Sequence, residues 1–363
     1  MTIRSIEAIP VSLPYDMFGP KPLLAGLPRQ MDILLIRVET DAGIVGWGEA
    51  FGFAVWPATR AAIDNLVSPL AIGQDESDIA ALSNTLQRKL HLLGRTGPVA
   101  FALSGLDIAL WDIAGKVAGK SVSELLGGAR HKALPAYASL MRYGDTPLVA
   151  KNAAMAKERG YKAIKLHEIT PERVHAARAA IGPEVGLMMD VNCPWTVDQA
   201  LDIAREIKAC DMMWFEEPVW PPEDFNGLAR LRKEAGMPIS AGENVMNAPH
   251  FEQMFAAGAV DVAQPSVTKV GGLTEMMKIV PIAARHGVSI VPHSPYLGPG
   301  LLASLHFCAT LEPETMVEYS FTDLGANPLG DAIEVHDGII RIPTGPGLGR
   351  DPDLDIVKRY RLA

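Results

Sequence analysis

Seven polar residues recur along the chain at nearly constant intervals and together could form an active site. The intervals are 25, 26, 27, 23, 27 and 25 residues, and each residue follows or ends a short apolar run. The seven are Lys165, Asp190, Glu216, Glu243, Ser266, His293 and Glu318. An interval of this length accommodates one strand and one helix. The pattern therefore predicts consecutive strands with a polar side chain at each carboxyl end, where a (β/α)₈ barrel carries its chemistry.

Three of these residues are carboxylates at successive predicted strand ends, namely Asp190, Glu216 and Glu243. Because adjacent strand ends lie close together, the three would repel one another unless a cation lay between them. Carboxylate ligands select a hard cation, with Mg²⁺ the default, and the lack of paired His or Cys makes zinc a poor fit. Each acid alone is as readily a solvated strand-end residue or a salt-bridge partner. The common spacing of all three favours a metal site.

Proton-transfer groups are expected on the second and seventh strands of the barrel. Lys165 and His167 form a Lys-x-His pair, and period-2 alternation places both on one face. A lysine beside a divalent cation has its pKa lowered toward that of a useful base. Alternatively, Lys165 could form no more than an ion pair with Asp190 inside the barrel. His167 could likewise be a supporting or strand-end residue. His293 lies across the barrel, and Glu318 is placed to bind a substrate carboxylate or to stabilise charge.

Strand and helix patterns organise the rest of the chain. Residues 1–55 alternate like antiparallel strands, residues 57–127 have a helical period, and the tail returns to strands and turns. Alternating strands and helices from about residue 133 predict a parallel sheet. The eight strand candidates are 134–139, 162–167, 185–190, 212–216, 238–242, 260–264, 288–292 and 316–319. Eight such strands fit a closed barrel.

Composition excludes several classes of function. The chain has 363 residues, 48% hydrophobic and 21% charged, which is ordinary for a soluble globular protein of one or two domains. A net charge of −9 with no Lys/Arg block argues against nucleic acid and anionic membranes as partners. The N-terminus lacks a signal-peptide pattern. Three cysteines without CxxC spacing, Cys193, Cys210 and Cys308, suit a reducing compartment, so we expect a cytoplasmic protein.

The ordered motifs resemble those of the enolase superfamily, specifically its mandelate racemase subgroup. ALSGLDIALWDIAGK and SVSELLGG, within 102–128, are similar to the family's cap-domain signature, and DVN, FEEP, AGEN, KVGG, VPH and VEY follow in the family's order. The resemblance implies the α/β class. It implies a modified (β/α)₇β TIM-type barrel (129–320) under an α+β capping domain built from the N-terminal segment (1–128) and the C-terminal segment (321–363). It also implies a homo-oligomer, either a dimer or an octamer.

The same resemblance implies a reaction. Mg²⁺ would bind Asp190, Glu216 and Glu243, and the shared step would remove the proton alpha to a metal-bound carboxylate to give an enediolate. Two departures from the family pattern matter. His167 replaces the second lysine of the usual Lys-x-Lys, and Ser266 replaces the Asp that normally supports the protonated strand-seven histidine. Two equally strong opposed bases, as racemisation needs, are therefore disfavoured.

One-base chemistry fits these departures better. We predict that Lys165 or His167 removes the alpha proton and that His293 protonates a beta leaving group. The reaction would be dehydration of an acid sugar to a 2-keto-3-deoxy acid. The alternatives are a racemase, epimerase or cycloisomerase of a less polar carboxylate, and a non-catalytic carboxylate-binding descendant.

The cap loops are predicted to close over the distal end of a small carboxylate substrate. They are apolar, which favours a short substrate or one with an apolar end, because unsatisfied hydroxyl groups are costly to bury. The apolar residues are Phe18, Pro20, Leu23, Leu24, Leu27, Phe51, Phe53, Val55 and Trp56. The polar side chains within reach are Tyr15, Lys21 and Arg29. The predicted substrate-binding residues are Tyr15, Phe18, Phe51, Trp56, Ser139 and Asn192. The loop residues could instead only pack the interface between cap and barrel.

Overall fold

A computed structural model describes residues 1–363 except Pro22, Ala25, Gly26 and Arg29, and it describes no side chain between residues 22 and 29. The N-terminal strands are β1 (Ile3–Leu13), β2 (Tyr15–Asp16), β3 (Leu23–Leu24), β4 (Leu27–Pro28), β5 (Met31–Thr40) and β6 (Val45–Ala50). The helices that follow are α1 (Trp56–Ala62), α2 (Ser68–Ala71), α3 (Ile79–Leu90), α4 (Gly97–Ala118) and α5 (Val122–Leu125). Strands β1, β5 and β6 form an antiparallel sheet in that order.

Helix α4 packs directly on strand β6 of this sheet. A Cβ atom on Gly48 would lie only 2.0 Å from the carbonyl oxygen of Gly105, so the close approach requires glycine at the crossing. The helix is long and apolar enough to cross a membrane by length and composition, but 72% of its apolar window is buried inside the protein. It also carries two buried acids, Asp107 and Asp112. These properties identify α4 as a core helix of the cap.

Residues 133–320, which are described without gaps, contain eight strands and seven helices in alternation. The strands are β7 (Ala133–Ser139), β8 (Ala163–Leu166), β9 (Gly186–Asp190), β10 (Met212–Glu216), β11 (Ile239–Ala241), β12 (Val262–Ala263), β13 (Ser289–Ile290) and β14 (Val317–Ser320). The helices are α6 (Thr146–Glu158), α7 (Pro171–Ile181), α8 (Val197–Ile207), α9 (Phe225–Glu234), α10 (Ala248–Ala256), α11 (Leu273–His286) and α12 (Pro299–Cys308). Strands β7 to β13 pair in chain order, and β14 pairs with β7.

This arrangement is a (β/α)₇β barrel, so the predicted α/β class, barrel and N-terminal cap are confirmed. The segment just before β14 contacts the seventh strand, because Thr315 Oγ1 donates a hydrogen bond to the carbonyl oxygen of Ile290 at 2.8 Å. The assigned strands are mostly shorter than the predicted ones, with two residues in each of β12 and β13. The apolar runs around them continue into the loops that carry the polar residues.

A layer of hydrophobic side chains, most of them large, fills the barrel below the polar ring. Its buried members are Tyr137, Ala163, Met188, Trp214 and Val291. Each of them precedes by two positions a polar residue at the carboxyl end of the same strand or just beyond it: Ser139, Lys165, Asp190, Glu216 and His293. Because successive side chains alternate across a strand, the hydrophobic floor and the polar ring share the interior face.

The C-terminal segment contacts both the cap and the barrel. It contains β15 (Asp323–Leu324), β16 (Val335–His336), β17 (Ile339–Arg341) and α13 (Leu354–Tyr360). Strand β15 pairs with β2, and β17 adds antiparallel to β7. Arg361 then bridges to Val11 of strand β1. The chain thus ends beside the sheet where it begins.

A buried carboxyl group of the cap lies against a barrel helix. Glu49 of β6 accepts a hydrogen bond from the backbone N–H of Gly300 at 2.9 Å, in the first turn of α12. The side chain is 3% exposed. Burial raises the pKa of Glu49 to about 8, although the N–H groups of Gly300 and Gly298 oppose the shift. The folded protein therefore holds this carboxyl protonated at neutral pH.

Glu49→Gln is expected to remove part of the pH dependence of stability. A folded-state pKa above the unfolded value stabilises the fold at low pH, and that stability is lost between about pH 4.5 and about pH 8. The variant should gain up to about 1.4 kcal/mol of unfolding free energy per pH unit over this range relative to wild type. Urea unfolding at pH 5 and pH 8 measures the gain. Exposed Glu158→Gln is the control, and parallel pH profiles for Glu49→Gln and wild type would contradict the prediction.

Candidate active site

The residues of the polar ring meet at the carboxyl end of the barrel, around a cavity of about 470 Å³. Strands β8, β9, β10 and β14 themselves carry Lys165, Asp190, Glu216 and Glu318, and the other members lie in the loops just after their strands. The described residues that line the cavity are Phe51, Phe53, Ala54, Val55, Ser139, Met141, Arg142, His167, Asp190, Asn192, Glu243, His293, Pro295 and Ser320. One wall is thus the second cap loop, and the floor includes Asp190, Glu243 and His293 of the polar ring.

Lys165 lies at the centre of the buried carboxylates. Its Nζ atom is 2.7 Å from Glu318 Oε1, 2.8 Å from Glu216 Oε1 and 3.3 Å from Asp190 Oδ2. The side chain is fully buried and is not part of the cavity wall. Burial alone would lower the Lys165 pKa, but Glu216 and Glu318 outweigh it and raise the pKa well above its usual value. The neighbouring carboxylates therefore favour Lys165 as an ammonium ion, whereas the lowered pKa expected from the sequence is that of a lysine beside a divalent cation.

Negative charge exceeds positive charge in this part of the protein. Asp190, Glu216, Glu243 and Glu318 are all buried from solvent or nearly so. Lys165 is fully buried among them, and Lys269 Nζ lies 3.9 Å from Glu243 Oε2. Burial raises the pKa of Glu216 well above its usual range, and Asp190 and Glu318 add to the shift while Lys165 opposes it. Such strain between like charges is what a bound divalent cation relieves. The carboxylate donors therefore fit a hard cation.

Protein side chains contact the oxygen atoms that a metal would use. Asp190 Oδ2 lies 3.2 Å from His167 Nε2, and Glu243 Oε2 lies 2.7 Å from His293 Nε2. Glu216 also accepts a hydrogen bond from Trp214 Nε1 at 2.9 Å. Consistent with this, no three acidic, histidine or cysteine side chains among the described residues converge on one metal-sized point. Binding of a metal requires small movements of these side chains.

His167 presents one ring nitrogen to the cavity. Its Nδ1 atom lies 2.5 Å from the carbonyl oxygen of Leu140. Because a carbonyl oxygen only accepts hydrogen bonds, Nδ1 carries a proton and Nε2 is the nitrogen available for proton transfer. His167 is on the cavity wall, whereas Lys165 is not. The structure therefore distinguishes the two base candidates by their access to a ligand.

His293 is oriented by a tyrosine that the sequence analysis did not identify. His293 Nδ1 lies 3.3 Å from Tyr296 Oη, and the same hydroxyl group is hydrogen-bonded to Ser266 Oγ. Ser266 and Tyr296 are both buried. The pair occupies the place of the acidic partner that the family pattern leads one to expect. The one feature of the sequence that could have indicated this contact is the position of the tyrosine, three residues after the histidine.

The carboxylate of Glu318 forms hydrogen bonds and an ion pair with residues from three strands or loops. Oε1 accepts a hydrogen bond from Ser139 Oγ at 2.7 Å as well as contacting Lys165, and Oε2 accepts one from the backbone N–H of Ser294 at 3.2 Å. Burial alone would raise the Glu318 pKa, but Lys165 and His293 outweigh it, so the pKa is lowered. Glu318 is thus a charged group that fixes Lys165.

Three predicted substrate-binding residues line the cavity, and three do not. Ser139, Asn192 and Phe51 are on the wall. Tyr15 instead lies in the β2–β15 pair with Lys21 above its ring, Phe18 packs on Phe321, and Trp56 packs in the cap core. The side chains of Leu23, Leu24, Leu27 and Arg29 lie outside the described part of the chain.

Comparison with known proteins identifies the family to which the chain belongs. Residues 16–127 match the mandelate racemase/muconate lactonizing enzyme N-terminal domain, and residues 148–356 match the enolase C-terminal domain-like family. The chain therefore belongs to the mandelate racemase/muconate lactonizing enzyme family of the enolase superfamily. Members of this superfamily generally use Mg²⁺.

Individual relatives with known names are cycloisomerases and dehydratases. The chain is 36% identical to D-galactarolactone cycloisomerase of Agrobacterium fabrum, covering 91% of each chain. It is 32% identical to arabinonate dehydratase of Saccharolobus solfataricus, covering 88% of each. The crystal structure of 3,6-anhydro-D-galactonate cycloisomerase from Zobellia galactanivorans superimposes with a TM-score of 0.87 at 32% identity, covering all of both chains. The prediction of a superfamily enzyme, with hydro-lyase and isomerase as its two classes, is confirmed.

Proposed function

We propose that this enzyme dehydrates an acid sugar to a 2-keto-3-deoxy acid and that it does so with Mg²⁺. The observation that supports the proposal is the pair of histidines at the cavity. His167 and His293 each direct Nε2 toward a carboxylate of the proposed metal site, from different sides of the floor. One histidine can therefore take a proton from a bound substrate while the other gives one.

Asp190, Glu216 and Glu243 would hold the metal ion. When bound, Mg²⁺ neutralises the substrate carboxylate and the charge that develops on it. Lys165, held as an ammonium ion by Glu216 and Glu318, adds a fixed positive charge beside the same site. This charge lowers the cost of forming the enediolate.

The remaining steps use the two histidines. His167 Nε2 accepts the proton from the alpha carbon, and the electron pair of that C–H bond moves into the enediolate. The pair then forms the C2–C3 double bond as the C–O bond at the beta carbon breaks. His293 Nε2 gives a proton to the departing oxygen, which leaves as water, and the resulting enol tautomerises to the 2-keto-3-deoxy acid. Proton transfer by positioned groups of this kind contributes about 10²- to 10⁴-fold each.

Cycloisomerisation is the second candidate. The same alpha-proton removal serves it, but the oxygen that leaves belongs to a ring, so the molecular formula is conserved. Two of the three similar proteins above are cycloisomerases. The apolar wall of Phe51, Phe53 and Val55 also suits the less hydrated face of a ring.

The deciding experiment is ¹H NMR in D₂O on pooled acid sugars and their lactones with Mg²⁺ and the enzyme, with Lys165→Ala as control. New signals of a 2-keto-3-deoxy acid with loss of water would support the dehydratase. A keto product of unchanged formula, formed from a lactone or anhydro sugar, would support the cycloisomerase. If no substrate reacts or exchanges its alpha proton, both proposals fail and a carboxylate-binding protein remains.

Tyr296→Phe is expected to lower kcat about tenfold, with KM changed less than about twofold. The hydroxyl group orients His293 through one hydrogen bond, worth about 1 kcal/mol, but is not on the cavity wall. Steady-state kinetics on the substrate found above measures both constants. Adding Ser266→Asp to this variant should restore part of kcat by giving His293 an acidic partner. An unchanged kcat in Tyr296→Phe would rule out the positioning role.

The cell location, assembly and domain division are also proposals. The three cysteines are free and buried, which supports the cytoplasm, and membership of the family supports a homo-oligomer. We propose that residues 1–128 and 321–363 act as the cap and that residues 129–320 act as the catalytic barrel. The cap loop that carries Phe51 supports this division, because it closes one side of the cavity.

A further inference from the structure

Arg142 is a cation of the cavity wall without an acidic partner. It follows strand β7 by three residues, and its Nε donates a hydrogen bond to the carbonyl oxygen of His167 at 2.6 Å. Its Nη2 atom is buried and has no hydrogen-bond partner among the described residues. The ion pairs found in the described part of the chain do not include Arg142, although Asp190 and Glu243 line the same cavity.

The acids nearest in the chain are engaged elsewhere. Glu168 is bound by Arg173 at 3.1 Å and by the backbone N–H of Tyr143. Asp145 caps helix α6 by accepting a hydrogen bond from Leu148. The segment 22–29, PLLAGLPR, contains no acidic residue, so no carboxylate from it can pair with the guanidinium.

Arg142 is half-buried, and a buried guanidinium nitrogen without an acceptor, such as its Nη2, is costly unless a ligand completes it. Its planar fork matches a carboxylate, which two parallel N–H groups can bind. The cavity wall to which it belongs also contains the apolar residues Phe51, Phe53, Met141 and Pro295. The acidic floor, in contrast, is where the proposed metal and the reacting carboxylate belong. Arg142 follows β7, whereas the proposed metal ligands are on β9, on β10 and after β11, so the guanidinium and the metal ligands belong to different strands around the cavity.

We propose that Arg142 binds a second carboxylate of the substrate, remote from the reacting one. The substrate class is therefore a dicarboxylic acid sugar, or a lactone of one that keeps a free carboxylate. The assignment of the reacting end rests on the proposed function, but the second carboxylate site rests on Arg142 itself.

Calorimetric titration with adipate and hexanoate tests the site directly. Both are six-carbon chains without a leaving group, and they differ in one carboxylate. In the presence of Mg²⁺, Arg142→Met is expected to weaken adipate binding at least tenfold and to change hexanoate binding less than about threefold. Arg230→Met, which removes an exposed arginine of helix α9 paired with Asp198, should change neither.

Equal weakening of both ligands would overturn the proposal and leave Arg142 as a support for the His167 backbone. Failure of wild-type protein to bind adipate would overturn it as well. Because neither ligand reacts, the binding result does not depend on whether the proposed reaction is correct. A protein that binds adipate through Arg142 but turns over no acid sugar would refute the dehydratase and the cycloisomerase while keeping the dicarboxylate site.

Turnover gives a second readout. Galactarate and galactonate differ only at C6, which is a carboxylate in one and a hydroxymethyl group in the other. Wild type should prefer galactarate in kcat/KM, and Arg142→Met should reduce that preference at least tenfold, mainly by raising KM for galactarate. A preference for galactarate that Arg142→Met leaves unchanged would contradict the role of Arg142.

Discussion

Replacing His293 with Asn is expected to abolish product formation while leaving exchange of the alpha proton measurable. His293 gives its proton to the leaving oxygen, whereas His167 removes the alpha proton from another side of the cavity. Turnover should fall by about 10²- to 10⁴-fold, the contribution of a positioned general acid. Asparagine is close in size to histidine and can still contact Glu243, so the site should keep its shape.

Two rates measured on one sample check this prediction. Formation of the 2-keto product is followed in H₂O, and incorporation of deuterium at the alpha carbon is followed by ¹H NMR in D₂O. The reciprocal variant, His167→Asn, should lose both rates together, because no later step can proceed without the first. His175→Asn is the control, since His175 bonds the carbonyl oxygen of Glu206 on the outside of the barrel. Equal loss of both rates in His293→Asn would refute the division of labour.

Much of this site could be predicted because a barrel converts sequence intervals into spatial neighbours. Lys165, Asp190 and Glu216 are consecutive polar ends of adjacent strands, and in a parallel sheet such ends meet at one edge. The register is fixed by the hydrophobic residue two positions before each of them, such as Met188 before Asp190. Periodicity alone therefore determines which face they share.

Side-chain partners were less accessible to the sequence analysis. Tyr296 reaches Ser266 across 30 residues of chain, and no local pattern indicates that contact. Arg142 was missed because a single arginine after a strand is usually paired at the surface. Only the folded structure shows that this guanidinium has no acidic partner among the described residues.

The cap loops show a different limit. The apolar residues after β6 could be assigned to the cavity wall, and Phe51 lies there. Phe18 and Trp56 carry the same apolar signal, but both pack against the protein itself. Hydrophobicity predicts that a residue will be buried. It does not show whether a ligand or a neighbouring part of the protein will cover that residue.

Lys165→Met is expected to lower the unfolding free energy of the metal-free protein by about 3 kcal/mol or more. Lys165 contacts Asp190, Glu216 and Glu318. Removal of one partner leaves the others as uncompensated buried charges, which typically costs about 3–5 kcal/mol. Methionine has nearly the same length, so little of the loss should come from an empty volume. Urea unfolding in EDTA at pH 8 measures the effect, and Lys278→Met, which removes a half-exposed lysine paired with Glu275, is the control.

Added Mg²⁺ should then stabilise Lys165→Met more than it stabilises wild type. In wild type the ammonium group competes with the metal for Asp190 and Glu216, and the variant lacks this competitor. Metal at about one hundred times its dissociation constant contributes about 2.7 kcal/mol, enough to recover most of the loss. Repeating the unfolding at increasing Mg²⁺ gives the two affinities. If Mg²⁺ stabilised neither protein, the three carboxylates would not form a metal site. If it stabilised both proteins equally, Lys165 would not compete with the metal, and its charge would serve the substrate carboxylate alone.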